Sequence, residues 1–270
     1  MTNLKMQNIS YSYPDGTLAL EDFCLSISSG ERIAIIGQNG AGKTTAVKLM
    51  NGLLKPTKGN ILVGDMDTKE YTTAQISRKV GYVFQNPDDQ IFHNNIGSEV
   101  RFGPKNMGFN EERVDKLTNW AMDLCGVKNY NDENPYNLPY SIRKFVTIAS
   151  VLAMDSDVII LDEPTAGQDK VGLERLVHIL KVLEEKRKTV ITITHDMEFV
   201  TEYFDRIVVM ANRKIVVDDN VDQIFYNHEV LEMSMLKPPA VTKMAKLLSL
   251  SDGITTQAQL LVAISEKVKP

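Results

Sequence analysis

Apolar and polar residues alternate at the start of the chain, with Leu4 and Met6, then Ile9, Tyr11 and Tyr13, then Leu18, Leu20, Leu25 and Ile27. Pro14-Asp15-Gly16 and Ser28-Ser29-Gly30 interrupt the alternation. A period of two broken by turn residues predicts antiparallel strands with one buried face. The pattern then changes to short, nearly continuous apolar runs at 32–36, 80–84, 158–161 and 189–193, each followed by a polar residue. Helical stretches intervene, which predicts a parallel sheet covered on both faces, with any ligand at the carboxyl ends of its strands. From about 86 to 155 the spacing becomes helical and the connections rich in Pro and Gly. Val114, Leu117, Ala121 and Leu124 share one face, and so do Ile142, Phe145, Ala149 and Leu152. Leu173, Leu176, Val177, Leu180 and Leu183 mark a helix over 170–186 that is expected to cover the sheet. Beyond about Asn220, short amphipathic helices flank Pro238-Pro239. The expected fold class is α/β: a core domain over 1–220 with an antiparallel β subdomain and a helical insertion at about 86–155, then a small helical extension over 221–270.

Composition narrows the partners. The net charge of the 270 residues is −5, and no basic run exceeds Lys186-Arg187-Lys188, so nucleic acid is not an expected partner. No apolar stretch approaches the roughly 20 residues needed to span a bilayer. Residues 1–12 are polar, so no secretory or transit segment is expected there. Work at a membrane would need another subunit to carry the chain there. Cys24 and Cys125 are too widely spaced for a metal site and read as free thiols of a reducing compartment.

The chemistry concentrates where the apolar runs end. Gly37, Gln38, Asn39, Gly40, Ala41, Gly42, Lys43, Thr44 and Thr45 follow the first run in the phosphate-loop pattern G-x-x-x-x-G-K-[ST]. Its glycines let backbone N–H groups curl around a polyphosphate. Lys43 supplies charge to the β/γ oxygens, and the Thr44 hydroxyl can ligate Mg²⁺. A helix opening at about Gly42 points its positive end at the same anion. The 158–161 run closes on Asp162 and Glu163, one placed to hold Mg²⁺ and the other to polarise water. Gln85 closes the 80–84 run, where it could reach the metal or the water, and His195 follows the 189–193 run at γ-phosphate height. Tyr13 could stack on a base or simply pack in the core.

The order Tyr13, 37–45, Gln85, helical insert, 161–164, Asp169, His195 resembles the ATP-binding subunits of ABC transporters across essentially the whole chain. The resemblance implies a P-loop NTPase core, ATP and Mg²⁺ as ligands, and hydrolysis in a head-to-tail dimer. It makes 37–45 the Walker A loop, Gln85 the Q-loop glutamine, Asp162 and Glu163 the Walker B pair, His195 the switch histidine and Ala166-Gly167-Gln168-Asp169 the D-loop. Lys43, Glu163 and His195 would be catalytic, and Thr44, Gln85 and Asp162 would meet the metal. The stretches Phe84-Gln85-Asn86-Pro87-Asp88-Asp89-Gln90-Ile91-Phe92 and Glu99-Val100-Arg101-Phe102-Gly103-Pro104 look like the energy-coupling factor subgroup, importers of vitamins or transition-metal ions. Gln223-Ile224-Phe225, Leu236-Lys237-Pro238-Pro239 and Asp252-Gly253-Ile254-Thr255-Thr256 are similar to its C-terminal extension. That likeness implies a peripheral position on the cytoplasmic face of the membrane. The implied partners are a second ATPase, a transmembrane coupling protein and a substrate-binding membrane protein. Asp88 and Asp89 could pair with arginines of the coupling protein or form a solvated turn.

Gln168 stands where the family commonly has a small apolar residue, and one whole segment departs further from the pattern. Leu138, Pro139, Tyr140, Ser141 and Ile142 stand where the resemblance expects Leu-Ser-Gly-Gly-Gln, the segment that faces the partner's nucleotide. Pro139 lacks hydroxyl and N–H, Tyr140 and Ser141 add Cβ atoms, and Ile142 replaces an amide with hydrocarbon. The helix N-terminus survives, and Arg143 and Lys144 are expected to add positive charge one turn on. The expectation is a heterodimer with one competent and one slow site, against a variant segment that closes on ATP regardless. Other readings are a soluble ABC ATPase acting on ribosomes or DNA, and a regulatory subunit that binds nucleotide with little turnover.

Overall fold

The computed structural model describes residues 2–268. Strands β1 (Thr2–Ser12) and β2 (Leu18–Ser28) pair antiparallel. Their alternation slips once on each strand. Asn8 (φ 50°) and Asp22 (φ 47°) take left-handed conformations, and the Asn8 amide donates to the Asp22 carboxylate at 3.0 Å. The extra residue in each strand is a bulge that resets the phase. The buried set therefore runs Leu4 and Met6, then Ile9 and Tyr11, on β1, and Leu20, then Phe23, Leu25 and Ile27, on β2. Strand β3 (Arg32–Gly37) leads into α1 (Lys43–Met50). Strands β4 (Lys58–Val63) and β5 (Met66–Asp67) complete a four-stranded antiparallel sheet in the order β2-β1-β4-β5.

After the single-turn α2 (Thr73–Ile76) and strand β6 (Val80–Val83), the insertion supplies α3 (Ile96–Asn106), α4 (Glu111–Leu124) and α5 (Tyr140–Ala153). Then follow β7 (Val158–Asp162), α6 (Lys170–Glu185), β8 (Thr189–Ile193), α7 (Met197–Tyr203), β9 (Arg206–Ala211) and β10 (Lys214–Asn220). The larger sheet has the order β10-β9-β3-β8-β7-β6, parallel throughout except for β10. Short helices α8 (Val221–Phe225), α9 (His228–Ser234), α10 (Ala240–Leu247) and α11 (Gln257–Val268) end the chain. Among the described residues, no helix is long and apolar enough to cross a membrane.

The parallel strands are apolar on both faces because two cores meet on them. Ile33 and Ile35 of β3, with Val158 and Ile160 of β7, pack toward α1 and the antiparallel sheet. Ala34, Ile36, Ile159 and Leu161 pack toward α5, α6 and the rest of the helical layer. Burying each large aliphatic side chain contributes about 1.5–3 kcal/mol. This two-sided core fixes the register. Val83 pairs with Leu161, Asp162 with Ile193, and Ile35 with Ile193. The residues that follow, Gln85, Glu163, His195 and the 37–45 loop, consequently emerge together at one carboxyl edge.

Candidate functional site

At that edge lies a cleft of about 360 Å³, lined by Tyr13, Asn39, Gly40, Gly42, Lys43, Thr44, Thr45, Gln85, Asp162, Glu163 and His195. Gly37 is required by close approach, since a Cβ there would sit 2.1 Å from the Met210 carbonyl oxygen. Gly42 (φ +100°) caps α1, and its Cβ would meet the Ala19 carbonyl at 2.6 Å. Together they press the loop against β9 and β2, and its N–H groups can turn toward the cleft. Gln38 and Ala41 belong to the loop backbone, the Ala41 N–H donating to the Gln38 carbonyl at 3.2 Å. Lys43 is buried, its ammonium donating to the carbonyls of Gly37 (2.7 Å) and Gln38 (3.0 Å). Burial lowers its pKa, opposed by the carboxylates of Glu163 and Asp162.

Asp162 is 1% exposed and accepts from the Tyr82 hydroxyl at 2.8 Å and the Thr44 hydroxyl at 3.4 Å through one oxygen. Its other oxygen, Oδ1, is buried without a hydrogen-bond partner. A buried carboxylate oxygen left unpaired is costly, and a cation would satisfy it. No group of three or more His, Cys, Asp or Glu residues forms a metal cage among the described residues. The unpaired Asp162 oxygen with the Thr44 hydroxyl beside it fits Mg²⁺, which typically binds one or two protein oxygens together with water and substrate phosphates.

Glu163 sits at φ 48°, in the left-handed region, with its N–H donating to the Ile193 carbonyl at 2.8 Å. A non-glycine residue there costs on the order of 1–2 kcal/mol, offset by the surrounding sheet. Its carboxylate accepts from the His195 backbone N–H at 3.3 Å and lies 3.4 Å from His195 Nε2. Burial raises the pKa of both Asp162 and Glu163. Burial lowers that of His195, and so does Lys43. A carboxylate destabilised by burial beside an imidazole whose charged form is disfavoured is an arrangement suited to accepting a proton from water.

Tyr13 stands at the rim, its hydroxyl 2.9 Å from the Thr45 hydroxyl and its ring edge-on to Tyr11. It is 36% exposed, at the mouth of the cleft. Thr17, Leu18, Ala19, Ile193 and Arg213 also line the cleft and carry no sequence motif. Tyr82 was equally silent, an aromatic inside a strand. Asn212 and Arg213 both adopt positive φ (50° and 70°) in the turn between β9 and β10, where Gly is usual at the second position.

The second group of sequence-selected residues lies outside the cleft. Leu138 precedes Pro139, the N-cap of α5, which has no side-chain cap. The Tyr140 hydroxyl donates to the Gln85 carbonyl at 3.1 Å, and its ring lies against Gly167. The Ser141 carbonyl accepts from the Gln168 side chain at 3.2 Å. Ile142 packs half-buried on the core, and Asp169 caps α6 by accepting from the Gly172 N–H at 2.8 Å. Two expectations are corrected here. Lys144 does not add outward charge: it is fully buried, and its ammonium donates to the carbonyls of Phe84, Gln85 and Asp162. Arg143 folds back onto the Leu138 carbonyl and pairs with Asp88 at 3.0 Å, so Asp88 already has a partner within its own chain. From Lys144 onward α5 is buried on every side, and Lys144 turns toward the carbonyl ends of β6 and β7 rather than outward.

The ABC transporter family model matches residues 20–166, more than half of the chain. The energy-coupling factor transporter ATP-binding protein EcfA of Methanocaldococcus jannaschii is 36% identical over 253 residues, covering 93% of this chain and 91% of that protein. The chain belongs to the ABC transporter ATPase family. ABC ATPases bind ATP and Mg²⁺ and hydrolyse ATP, and this one carries the family fold. Its fold superposes on cbiO1 from Clostridium perfringens, part of the ABC transporter complex cbiONQ, with a TM-score of 0.76 at 32% identity over 92% of this chain and 99% of that one. A dimeric ATP-binding cassette in a post-hydrolysis state with ADP and Pi shares the fold (TM-score 0.73, 24% identity, 81% and 98% covered).

Proposed function

We propose that this ABC ATPase powers an energy-coupling factor importer of a vitamin or a transition-metal ion, as one half of a heterodimer with one degenerate site. Residues 1–220 form its ATPase domain and 221–270 an extension. It sits on the cytoplasmic face of the membrane, carried by a transmembrane coupling protein and a substrate-binding membrane protein. The likeness to EcfA and to cbiO1 supports this assignment.

The observation that carries the asymmetry is the contrast between an equipped cleft and an unequipped α5 terminus. In the cleft, the 37–45 loop and Lys43 bind the triphosphate, and Tyr13 stacks on the base. Thr44 and Asp162 would hold Mg²⁺ with Gln85 beside them, and the ion would neutralise charge on the phosphate oxygens. Glu163 orients and deprotonates the attacking water. His195 steadies the γ-phosphate while keeping Glu163 in place. At α5, the 138–142 segment offers the partner's nucleotide the N–H groups of Tyr140 and Ser141, without the glycine approach or the amide. Asp169 lies at the seam between the subunits.

The test is ATP turnover of this chain alone, of the complex copurified from membranes, and of that complex carrying Glu163→Gln. Slow turnover alone, fast turnover in the complex and its loss on substitution are expected. Rapid hydrolysis by the isolated chain would overturn the asymmetry, and copurification with ribosomes or DNA rather than hydrophobic subunits would overturn the importer assignment.

A further inference from the structure

The segment at the start of α5 is poorly built to serve a partner, yet it is heavily bonded to its own chain. An ammonium has three hydrogens, and Lys144 meets three carbonyls: Phe84 at 3.2 Å, Asp162 at 3.1 Å, and Gln85. Phe84 and Gln85 continue β6, and Asp162 ends β7, so one fully buried cation pins the carbonyl ends of two neighbouring strands. Burial pushes the Lys144 pKa down to about 8, with the carboxylates of Asp162 and Glu163 opposing the shift, and the three carbonyls take up its hydrogens. Tyr140 reaches the same carbonyl of Gln85 from one turn earlier, with its ring on Gly167. A Cβ added at Gly167 would come within 3.0 Å of that ring, so the two are in close contact. Gln168 closes the circuit by donating to the Ser141 carbonyl.

We propose that Tyr140 and Lys144 are positioning residues for the cleft of their own chain, tying the start of α5 to the ends of β6 and β7 and so setting Gln85 and Asp162 where Mg²⁺ would sit. Backbone carbonyls fixed from behind leave the Gln85 and Asp162 side chains projecting into the cleft at a set separation. Tyr140 thus occupies a position where glycine would leave the Gln85 carbonyl with Lys144 alone. The inference rests on the cleft being the ATP site, because its consequence is read at the metal.

Calorimetry on the full-length chain separates the two. ATP affinity is measured in EDTA and in Mg²⁺, and the ratio of the two dissociation constants isolates the metal's share. Lys144→Met is expected to lower that ratio about tenfold, with Lys144→Arg recovering part of it because the charge returns. Tyr140→Phe removes one hydroxyl from a partly exposed ring, leaves the fold intact and is expected to lower the ratio about threefold. A purely structural role would weaken both affinities together and leave the ratio unchanged, which would overturn the proposal. Should Lys144→Met fail to fold, Tyr140→Phe alone decides by the same criterion. A wild-type chain that binds no ATP in either buffer would overturn the ATP-site reading itself, whereas an unchanged ratio beside intact wild-type binding would remove only the positioning role.

Discussion

The cleft and the start of α5 are two regions of one chain built on opposite principles. In the cleft, polar groups are left poised: an unpaired Asp162 oxygen, a strained Glu163 and, beside it, a histidine whose burial disfavours its charged form. At α5 the side chains and one carbonyl are spent internally, the Tyr140 hydroxyl on Gln85, Lys144 on three carbonyls, Arg143 on Asp88 and the Ser141 carbonyl on Gln168. Unsatisfied buried groups cost stability and persist where a ligand completes them, whereas satisfied networks stiffen a fold. The difference is between buried groups left for a ligand to complete and groups already bonded within the chain.

The sharpest way to break this contrast is Glu163→Gln in the complex. Hydrolysis at this cleft should fall by roughly 10²–10³ while ATP binding is kept, since the amide orients water but cannot take its proton. Single-turnover measurement with radiolabelled ATP checks it, and a drop of less than threefold would make the cleft a regulatory site. The next effect comes from rebuilding the other region as Pro139→Ser, Tyr140→Gly, Ser141→Gly and Ile142→Gln together, with Glu163→Gln silencing this chain's own cleft. Residual turnover, now owed to the facing cleft, should rise about 10–100-fold as transition-state donors return. No rise would mean that the natural segment is already competent.

How legible each region was in the sequence follows from the same contrast. The cleft was readable because its residues close apolar strands, and parallel pairing brings strand ends together wherever the chain pairs in register. The poverty of 138–142 was readable as missing residue types. What those residues do instead was hidden. A lysine one turn into a helix looks solvent-exposed by type, and only the burial of α5 beneath the strand ends reverses that reading. The phase slips at Asn8 and Asp22 were visible as three-residue gaps between apolar positions, but a single strand does not reveal that both partners bulge together. Tyr82 was invisible because its hydroxyl matters only through Asp162, 80 residues away.

Tyr82→Phe sharpens the comparison from inside the cleft. It removes the one short hydrogen bond to Asp162 and keeps the ring that packs beside Phe84. Partners that orient a metal ligand typically matter by about 10–100-fold in affinity, and the expectation here is the lower end because Thr44 also reaches the same oxygen. A Mg²⁺ titration of ATP binding at fixed nucleotide measures it. Unchanged Mg²⁺ affinity would show that Asp162 is held by its strand alone.

The smallest effect tests whether the cleft is poised at the expense of the fold. Burial raises the pKa of Glu163 above its unfolded value, with Asp162 adding to the rise and Lys43, Lys144 and the His195 N–H opposing it. The folded chain then holds a proton over a pH window in which the unfolded chain has lost it. Stability from this group is therefore present below the unfolded pKa and is lost as pH rises through the folded one. Above the folded pKa the carboxylate is charged in both states and bears the full cost of burial, which a glutamine avoids. Without nucleotide, Glu163→Gln should raise the melting temperature by about 2–4 °C, the shift that about 1 kcal/mol produces in a large domain. The advantage should shrink as pH falls through the carboxylate range, because the wild-type group takes up its proton. Protonation of His195, 3.4 Å away, acts in the same direction by pairing with the carboxylate that the variant lacks. A scan of melting temperature against pH for both proteins checks the sign. A variant less stable than wild type at pH 8 would mean that the His195 and Lys43 contacts already satisfy Glu163, and that the cleft is balanced in the same way as the start of α5.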